Sequence, residues 1–210
     1  QKASQNILQE CEINKTRISN GMLPANSIWL WGQGGALSIP GFYSKYGISG
    51  SVISAVDLIK GLGIIAGLKP IDVPGVTGYL DTNYIGKSEY ALAALEEKDF
   101  VFIHVEAPDE TGHEGDVSKK IKAIEDFDEK IVKAVFNGMK KFSKYKILIL
   151  PDHYTPIIKR THTNEPVPFV IYSNDDLPED KNISGFNEKS ANKQKLIIEE
   201  GHRLMDFFIK

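Results

Sequence analysis

Two apolar stretches of the chain each end at a proline and are followed by acidic and histidine residues. The first stretch runs over 100–106 and the second over 147–150. Runs of this length and composition are typical of buried strands in a parallel sheet. The polar residues that follow them are Asp109, His113, Asp152, His153 and His162. Because ligands bind outside the carboxyl ends of such strands, we expect these side chains to form the two walls of one metal site.

The first group lies in the sequence EAPDETGHEGD. Asp109 and His113 are four residues apart, a spacing that would place them on one face of a helix. Pro108 and Gly112 favour instead a tight loop that turns both side chains toward one point. A carboxylate oxygen and an imidazole nitrogen suit zinc or manganese. For this motif taken alone, the alternative is a surface loop with an aspartate that caps the next helix.

The second group begins with adjacent residues, Asp152 and His153. Neighbours on an extended strand point to opposite faces, so both can serve one cluster only if the chain turns, as Pro151 indicates. His162 lies in the polar sequence RTHT and on its own indicates only a surface histidine. His104 lies inside FIHVE, and we expect a satisfied core histidine there, or one that supports a metal ligand indirectly.

Strand-like and helical patterns alternate along the rest of the chain. The predicted strands are 27–31, 50–55, 71–73, 100–106, 147–150 and 169–172. The predicted helices are 2–11, 56–68, 84–98, 117–142 and 188–209, with a polar loop over 173–187. This alternation of apolar strands with helices predicts an α/β fold: a mostly parallel sheet with helices on both faces.

We expect two parts of unequal size. Residues 1–25 form a linker that begins with a short helix, and this helix has so little to pack on that it indicates the remnant of a neighbouring domain. Residues 26–210 form the metal-binding domain. The chain does not begin with Met, which suggests a piece of a longer protein.

Composition narrows the class of function. The chain has 210 residues, 41% of them hydrophobic and 25% charged, with a net charge of -3, so we expect no nucleic-acid partner. The apolar runs are shorter than the ~20 residues that a membrane span needs. The single cysteine, Cys11, excludes an internal disulfide framework and fits a reducing compartment, and we expect a cytoplasmic location.

Three basic residues are candidates for contacts with phosphate. Lys60 follows a predicted strand and lies next to turn-permitting glycines, where an ammonium could meet a phosphate as a point charge; an exposed helix lysine is the alternative. Arg17 and Arg160 are weaker candidates for anion binding. The glycine-rich WGQGG is not a P-loop, because no Gly-Lys-Ser/Thr follows.

Several segments together resemble a known family. EAPDETGHEGD, LPDHYTP, RTHT and PVPFVIY, with the upstream IWLWGQG, SAVDLIKGLG and PGVTGYLDTNY, are similar to the archaeal-type cofactor-independent phosphoglycerate mutases of the alkaline phosphatase superfamily. The resemblance runs from about Asn14 to the end of the chain. It implies a three-layer alkaline-phosphatase-like fold, here as the incomplete, carboxyl-terminal part.

The resemblance also implies a site with two divalent metal ions, manganese or zinc, and no requirement for 2,3-bisphosphoglycerate. Asp109, His113 and His162 match the ligands of one metal, and Asp152 and His153 match part of the set for the other. The family completes the second metal with an aspartate and a nucleophilic serine, whose motifs are missing here. The family's inserted substrate-binding domain is also missing.

The implied reaction interconverts 3-phosphoglycerate and 2-phosphoglycerate in glycolysis through a phosphoserine that lies outside this chain, so we expect the chain alone to be inactive. Lys60 is the candidate for an extra positive charge on the transferring phosphoryl group, and Arg17 and Arg160 for substrate binding. A homoserine kinase-like phosphotransferase and a non-catalytic metal-binding domain are the alternatives. Without the missing part, an exposed sheet edge would allow the chain to associate with another chain.

Overall fold

The computed structural model describes residues 1–30, 32–175 and 185–209. Contacts divide the chain into two compact units, 1–38 and 39–210. The division into a linker over 1–25 and a metal-binding domain over 26–210 stays a prediction. Among the described residues, no helix is both long enough and apolar enough to cross a bilayer.

The first unit contains two short helices, α1 (Lys2–Gln9) and α2 (Glu12–Ser19). The buried side chain of Asn14 holds this unit together. Its amide nitrogen donates to the carbonyl oxygens of Leu8 (2.6 Å) and Ala25 (2.7 Å), and its amide oxygen accepts from the Ala25 N–H (2.8 Å).

The predicted strand over 27–31 is wrong for residues 27–30, which have no regular secondary structure; Trp31 lies outside the described residues. A strand needs hydrogen bonds to the backbone of a partner strand, whereas the Ile28 N–H donates to a side chain, the Ser4 hydroxyl, at 3.3 Å.

The second unit begins with a βαβ arrangement. Its first elements are α3 (Phe42–Tyr46), β1 (Gly50–Ile53), α4 (Asp57–Ile65), β2 (Lys69–Pro70), α5 (Tyr84–Ala94) and β3 (Phe100–Ile103). The three strands pair in parallel in the order β2-β1-β3, with Gly50 opposite Phe100 and Ile53 opposite Ile103. All four residues of β1 are buried, as expected for a central parallel strand.

The strand predicted over 71–73 is displaced. β2 covers Lys69–Pro70, and the Ile71 N–H adds one further hydrogen bond to the Val52 carbonyl oxygen (2.9 Å) before the chain leaves the sheet toward Pro74 and Gly75. The sequence analysis did not predict α3, whereas β1, α4, α5 and β3 lie where they were predicted, with ends that differ by a few residues.

The later elements of the second unit are α6 (Ala107–Glu114), α7 (Val117–Phe127), a π-helical turn (Asp128–Val132), α8 (Lys133–Met139), β4 (Lys146–Ile149), β5 (Val170–Ser173), α9 (Glu188–Gln194), a 3-10 turn (Gly201–Arg203) and α10 (Leu204–Ile209). β4 and β5 form a separate antiparallel pair, so the parallel arrangement is confined to β1, β2 and β3. The loop predicted over 173–187 lies partly outside the described residues.

The final helix predicted over 188–209 is wrong in its middle. Asn187 caps α9 by accepting from the Ser190 N–H, but Lys195 adopts a left-handed conformation (φ 53°) that ends the helix. The chain becomes helical again only at Leu204. The apolar pattern of this segment therefore describes two short elements rather than one long helix.

One buried contact holds the long helical segment against α5. Ser88 is 1% exposed, and its hydroxyl donates to the carbonyl oxygen of Lys130 (2.7 Å) in the π-helical turn. Tyr84, Ala107, Ala123 and Ile131 form the apolar cluster around this contact. The π turn therefore lies where α5 packs against the α7–α8 segment.

We expect Ser88→Ala to lower the free energy of unfolding by about 1–2 kcal/mol, because the Lys130 carbonyl loses a buried donor. Urea denaturation of the two proteins measures this difference. Ser51→Ala is the matched control: Ser51 is equally buried, its hydroxyl has no hydrogen-bond partner in the described part of the chain, and its loss should cost nothing. Equal destabilisation by the two substitutions would contradict the prediction.

Candidate metal centre

The segment that carries Asp109 and His113 is a helix, α6, so the predicted tight loop is wrong. Pro108 lies in the first turn, where a missing N–H costs no helical hydrogen bond. The helix ends at Gly115, which adopts the left-handed conformation (φ 74°) typical of a helix stop. The four-residue spacing therefore places both side chains on one face, with 3.2 Å between His113 Nε2 and Asp109 Oδ2.

The residues after β4 form the facing wall. A bridge between Tyr154 and Thr163 folds this segment back on itself and brings His153 and His162 together, with ring centroids 3.7 Å apart. His162 Nε2 lies 3.4 Å from Asp109 Oδ1. The turn that the sequence predicts near Pro151 is what allows these contacts.

The two walls meet at the imidazole nitrogens. His113 Nε2 and His162 Nε2 are 3.1 Å apart. His113 Nδ1 lies 3.0 Å from the carbonyl oxygen of Arg160, and a carbonyl can only accept, so Nδ1 carries the proton. In the tautomer that this hydrogen bond selects, the lone pair lies on Nε2, the nitrogen that faces His162 and Asp109 and that a metal ion would bind.

Thr155 joins the two walls directly. Its hydroxyl donates to Asp109 Oδ1, and its carbonyl oxygen accepts from Lys120 Nζ (2.7 Å). A Cβ at Gly112 would lie 2.5 Å from that carbonyl oxygen, so only glycine allows α6 to approach this closely. Gly112 is thus required for packing and not for a turn.

These donors fit a divalent cation. One ligand atom from each of Asp109, His153 and His162 lies within 4.8 Å of the others, and the pairwise contacts of His113 add a further nitrogen. Carboxylate and imidazole donors at this spacing suit zinc or manganese. Residues of both implied ligand sets therefore lie together, since Asp109 and His162 belong to one set and His153 to the other. The assignment of each residue to a particular ion stays a prediction.

Asp152 lies at the margin of this cluster. Its side chain is 71% exposed, its Oδ2 is 3.4 Å from His153 Nε2, and its Oδ1 accepts from the His153 N–H. The ionic partner that the structure gives it is therefore His153, and its role as a ligand stays a prediction.

Two residues near the cluster were not singled out from the sequence. Lys87 is 1% exposed, and its Nζ donates to the His104 carbonyl oxygen (2.9 Å). Burial lowers the pKa of Lys87 to about 8, against a smaller opposing effect of Glu106. Burial raises the pKa of Glu106, and the nearby Asp109 carboxylate adds to this shift.

Helical spacing was the signal that could have revealed Lys87. It lies three residues after Tyr84 and four residues before Ala91, and both of these are buried. This places Lys87 on the inward face of α5. A lysine at such a buried position must lose its charge or form hydrogen bonds or ion pairs, because burial of an unpaired ammonium is costly.

The three basic residues that the sequence analysis predicts to contact phosphate make other contacts in the structure. Lys60 Nζ pairs with the exposed Asp72 at 3.2 Å. Arg17 belongs to the first unit, where its Nε donates to the Leu23 carbonyl oxygen (2.9 Å). Arg160 has a left-handed backbone (φ 53°), and its carbonyl oxygen orients His113. Contacts with phosphate by these three residues stay predictions.

Comparison with known proteins decides the family. The sequence pattern of the Metalloenzyme superfamily matches residues 7–210. The chain belongs to this superfamily. Its curated relatives include a probable 2,3-bisphosphoglycerate-independent phosphoglycerate mutase of Geobacter sulfurreducens, 49% identical over 99% of this chain and 52% of the relative. The corresponding mutase of Methanosarcina mazei is 49% identical over 100% of this chain and 53% of the relative.

Solved structures share the fold of this chain. The PH0037 protein of Pyrococcus horikoshii matches with a TM-score of 0.76 and 28% identity, over 90% of this chain and 49% of its own. A cofactor-independent phosphoglycerate mutase of Thermoplasma acidophilum shares the fold, with a TM-score of 0.61. The predicted α/β fold of alkaline phosphatase type is confirmed. The chain spans about half the length of the relatives it matches.

We expect Gly112→Ala to weaken Mn²⁺ binding by more than about tenfold, because the added methyl group separates α6 from Thr155 and so moves Asp109 away from His162. Isothermal titration of Mn²⁺ into the chain measures this. Gly61→Ala is the control, since Gly61 is also a helical glycine but has open space at its Cβ position. Unchanged Mn²⁺ affinity in Gly112→Ala would contradict the proposed role of the close contact between α6 and Thr155.

Stability should depend on the proton of Lys87. Because its pKa falls from 10.5 in the unfolded chain to about 8 in the fold, the unfolded chain binds more protons in that range, and stability should rise with pH between them. Lys87→Met should remove this contribution to the pH dependence. Urea midpoints of both proteins across the range test it, and parallel curves would show that Lys87 titrates normally.

Proposed function

We propose that this chain is the metal-binding half of a cofactor-independent phosphoglycerate mutase, which interconverts 3-phosphoglycerate and 2-phosphoglycerate in glycolysis. The observation that carries the proposal is the convergence of Asp109, His113 and His162, with atoms 3.1–3.4 Å apart, at the margin of the fold. The names of the relatives supply the reaction. The single cysteine supports a cytoplasmic location.

The chain's own residues would hold two divalent ions, Mn²⁺ or Zn²⁺, with no need for 2,3-bisphosphoglycerate. Asp109, His113 and His162 would hold one ion, and Asp152 and His153 would contribute to the other. Thr155 keeps one Asp109 oxygen in place, and the Arg160 carbonyl keeps the His113 lone pair directed inward. When bound, the ions would neutralise phosphate charge and lower the pKa of an attacking hydroxyl group.

Lys87 is a stronger candidate than Lys60 for the positive charge near the transferring phosphoryl group. It is buried beside the cluster, whereas Lys60 pairs with Asp72. With a pKa of about 8, the Lys87 ammonium can hold or release a proton near neutral pH. A buried ammonium also interacts more strongly with phosphate than one in water.

The relatives are about twice as long as this chain, and the remaining half would supply the serine that accepts the phosphoryl group. We propose that it also covers the free sheet edge, which otherwise permits association with another chain. The partner that reacts is a small phosphorylated acid.

The test assays the longer protein that contains this sequence. We expect turnover of 3-phosphoglycerate that is lost with a chelator and restored by Mn²⁺, and no phosphorylation of homoserine by ATP. His162→Ala should lower turnover by more than about 100-fold, because it removes a ligand rather than an outer contact. His202→Ala is the control, since this exposed histidine lies in the Gly201–Arg203 turn.

The 210-residue chain alone should show no turnover of 3-phosphoglycerate, because it lacks the serine context of the family. Homoserine phosphorylation by the longer protein would favour the kinase-like alternative. Metal binding without either activity would favour a non-catalytic domain.

A further inference from the structure

A chain of polar contacts runs from the buried Ser54 through the partly buried His104 and Glu106 to the margin of the metal centre. Ser54 follows β1, and His104 follows β3. The pairing of Ile53 with Ile103 places these next residues side by side, and the His104 N–H extends the ladder to the Ile53 carbonyl oxygen (2.9 Å). Ser54 Oγ lies 3.1 Å from His104 Nδ1, and His104 Nε2 lies 3.3 Å from Glu106 Oε2.

The hydrogen bonds fix where each proton lies. Ser54 Oγ accepts from the Val56 N–H at 2.9 Å, so its own hydroxyl proton is available to donate. Within the described residues, His104 Nδ1 is the acceptor that this proton can reach. A neutral His104 then carries its proton on Nε2, the nitrogen that lies 3.3 Å from Glu106 Oε2. Burial lowers the pKa of His104, which favours this neutral form.

Glu106 lies where its orientation matters. One oxygen from each of Glu106, Asp109 and Glu110 lies within 4.8 Å of the others. These carboxylates repel one another, so an unrestrained Glu106 side chain would turn away from Asp109. The contact of His104 Nε2 with Glu106 Oε2, at 3.3 Å, opposes that movement.

We propose that Ser54 and His104 are positioning residues that hold the Glu106 carboxylate toward the metal centre, where its charge strengthens binding of a divalent cation. This inference rests on the proposed metal centre, but not on the mutase reaction. The sequence pattern allows an indirect supporting role for His104 but assigns none to Ser54 or Glu106. Lys87, which donates to the His104 carbonyl oxygen, restrains the same residue from its backbone side.

The test is a double-mutant cycle with Mn²⁺ affinity of the 210-residue chain as the readout, measured by electron paramagnetic resonance of free Mn²⁺. Glu106→Gln removes the charge but keeps an oxygen that can accept from His104, and should weaken binding about tenfold. Ser54→Ala should weaken it about threefold, and Ser54→Thr should restore it. In the Glu106→Gln background, Ser54→Ala should have no further effect.

This non-additivity separates the proposal from a merely structural role. Glu106 also precedes α6, and its backbone carbonyl oxygen accepts from the Asp109 N–H (2.8 Å). If the Ser54 hydroxyl only anchored this helix, Ser54→Ala would weaken Mn²⁺ binding equally with Glu106 and with Gln at position 106. Ser51→Ala is the matched control, because it removes a buried hydroxyl from β1, the strand that Ser54 follows, and this hydroxyl makes no hydrogen bond to His104. It should leave Mn²⁺ affinity unchanged.

Nitrogen NMR of the labelled histidines supplies a second readout. In the unsubstituted chain, His104 should be protonated at Nε2 and not at Nδ1, and Ser54→Ala should give a mixture of the two forms. Protonation at Nδ1, additive effects in the cycle, or an unchanged affinity in Glu106→Gln would each overturn the proposal. A chain that binds no Mn²⁺ would overturn it together with the metal centre, whereas Mn²⁺ binding without mutase activity would leave it intact.

Discussion

Thr155 provides the contact on which the metal centre depends. Its hydroxyl donates to Asp109 on α6, and its carbonyl oxygen accepts from Lys120 on the next helix. These bonds hold together two segments that are far apart in sequence, and the absence of a side chain at Gly112 leaves room for them. Without this seam, Asp109 and His113 would still share a helical face, but no facing histidine would complete a site.

The sequence predicts which acidic and histidine residues gather at the candidate centre, but not the local structure that presents them. From the sequence, Pro108 and Gly112 favour a loop, because both residues interrupt helices when they lie in the interior. In α6 the proline lies in the first turn, and the glycine accommodates a neighbouring backbone. The place of Pro108 depends on where the helix begins, and the need for Gly112 depends on a distant segment that packs against it. The motif considered alone does not contain this second piece of information.

The fold shows the same division. The apolar runs of β1 and β3 were predictable because a central parallel strand is buried on both faces. The antiparallel pairing of β4 with β5 was not, since apolar content does not encode strand direction. The inward position of Lys87 was predictable from helical spacing, but its lowered pKa depends on the packing of α5 against the sheet. The left-handed residue at Lys195, which divides the last helix, has no signal in the apolar pattern.

The hydrogen bonds of two histidines near the site select opposite tautomers, and this difference separates their tasks. His113 Nδ1 faces a carbonyl oxygen and donates there, which selects the tautomer whose lone pair lies on Nε2, the nitrogen nearest Asp109. His104 Nδ1 faces the Ser54 hydroxyl, so it accepts there and leaves a proton on Nε2 toward Glu106. A lone pair suits coordination, and an N–H suits the restraint of a carboxylate. The oxygen next to each Nδ1, rather than the histidine itself, therefore determines which of the two can bind a metal ion.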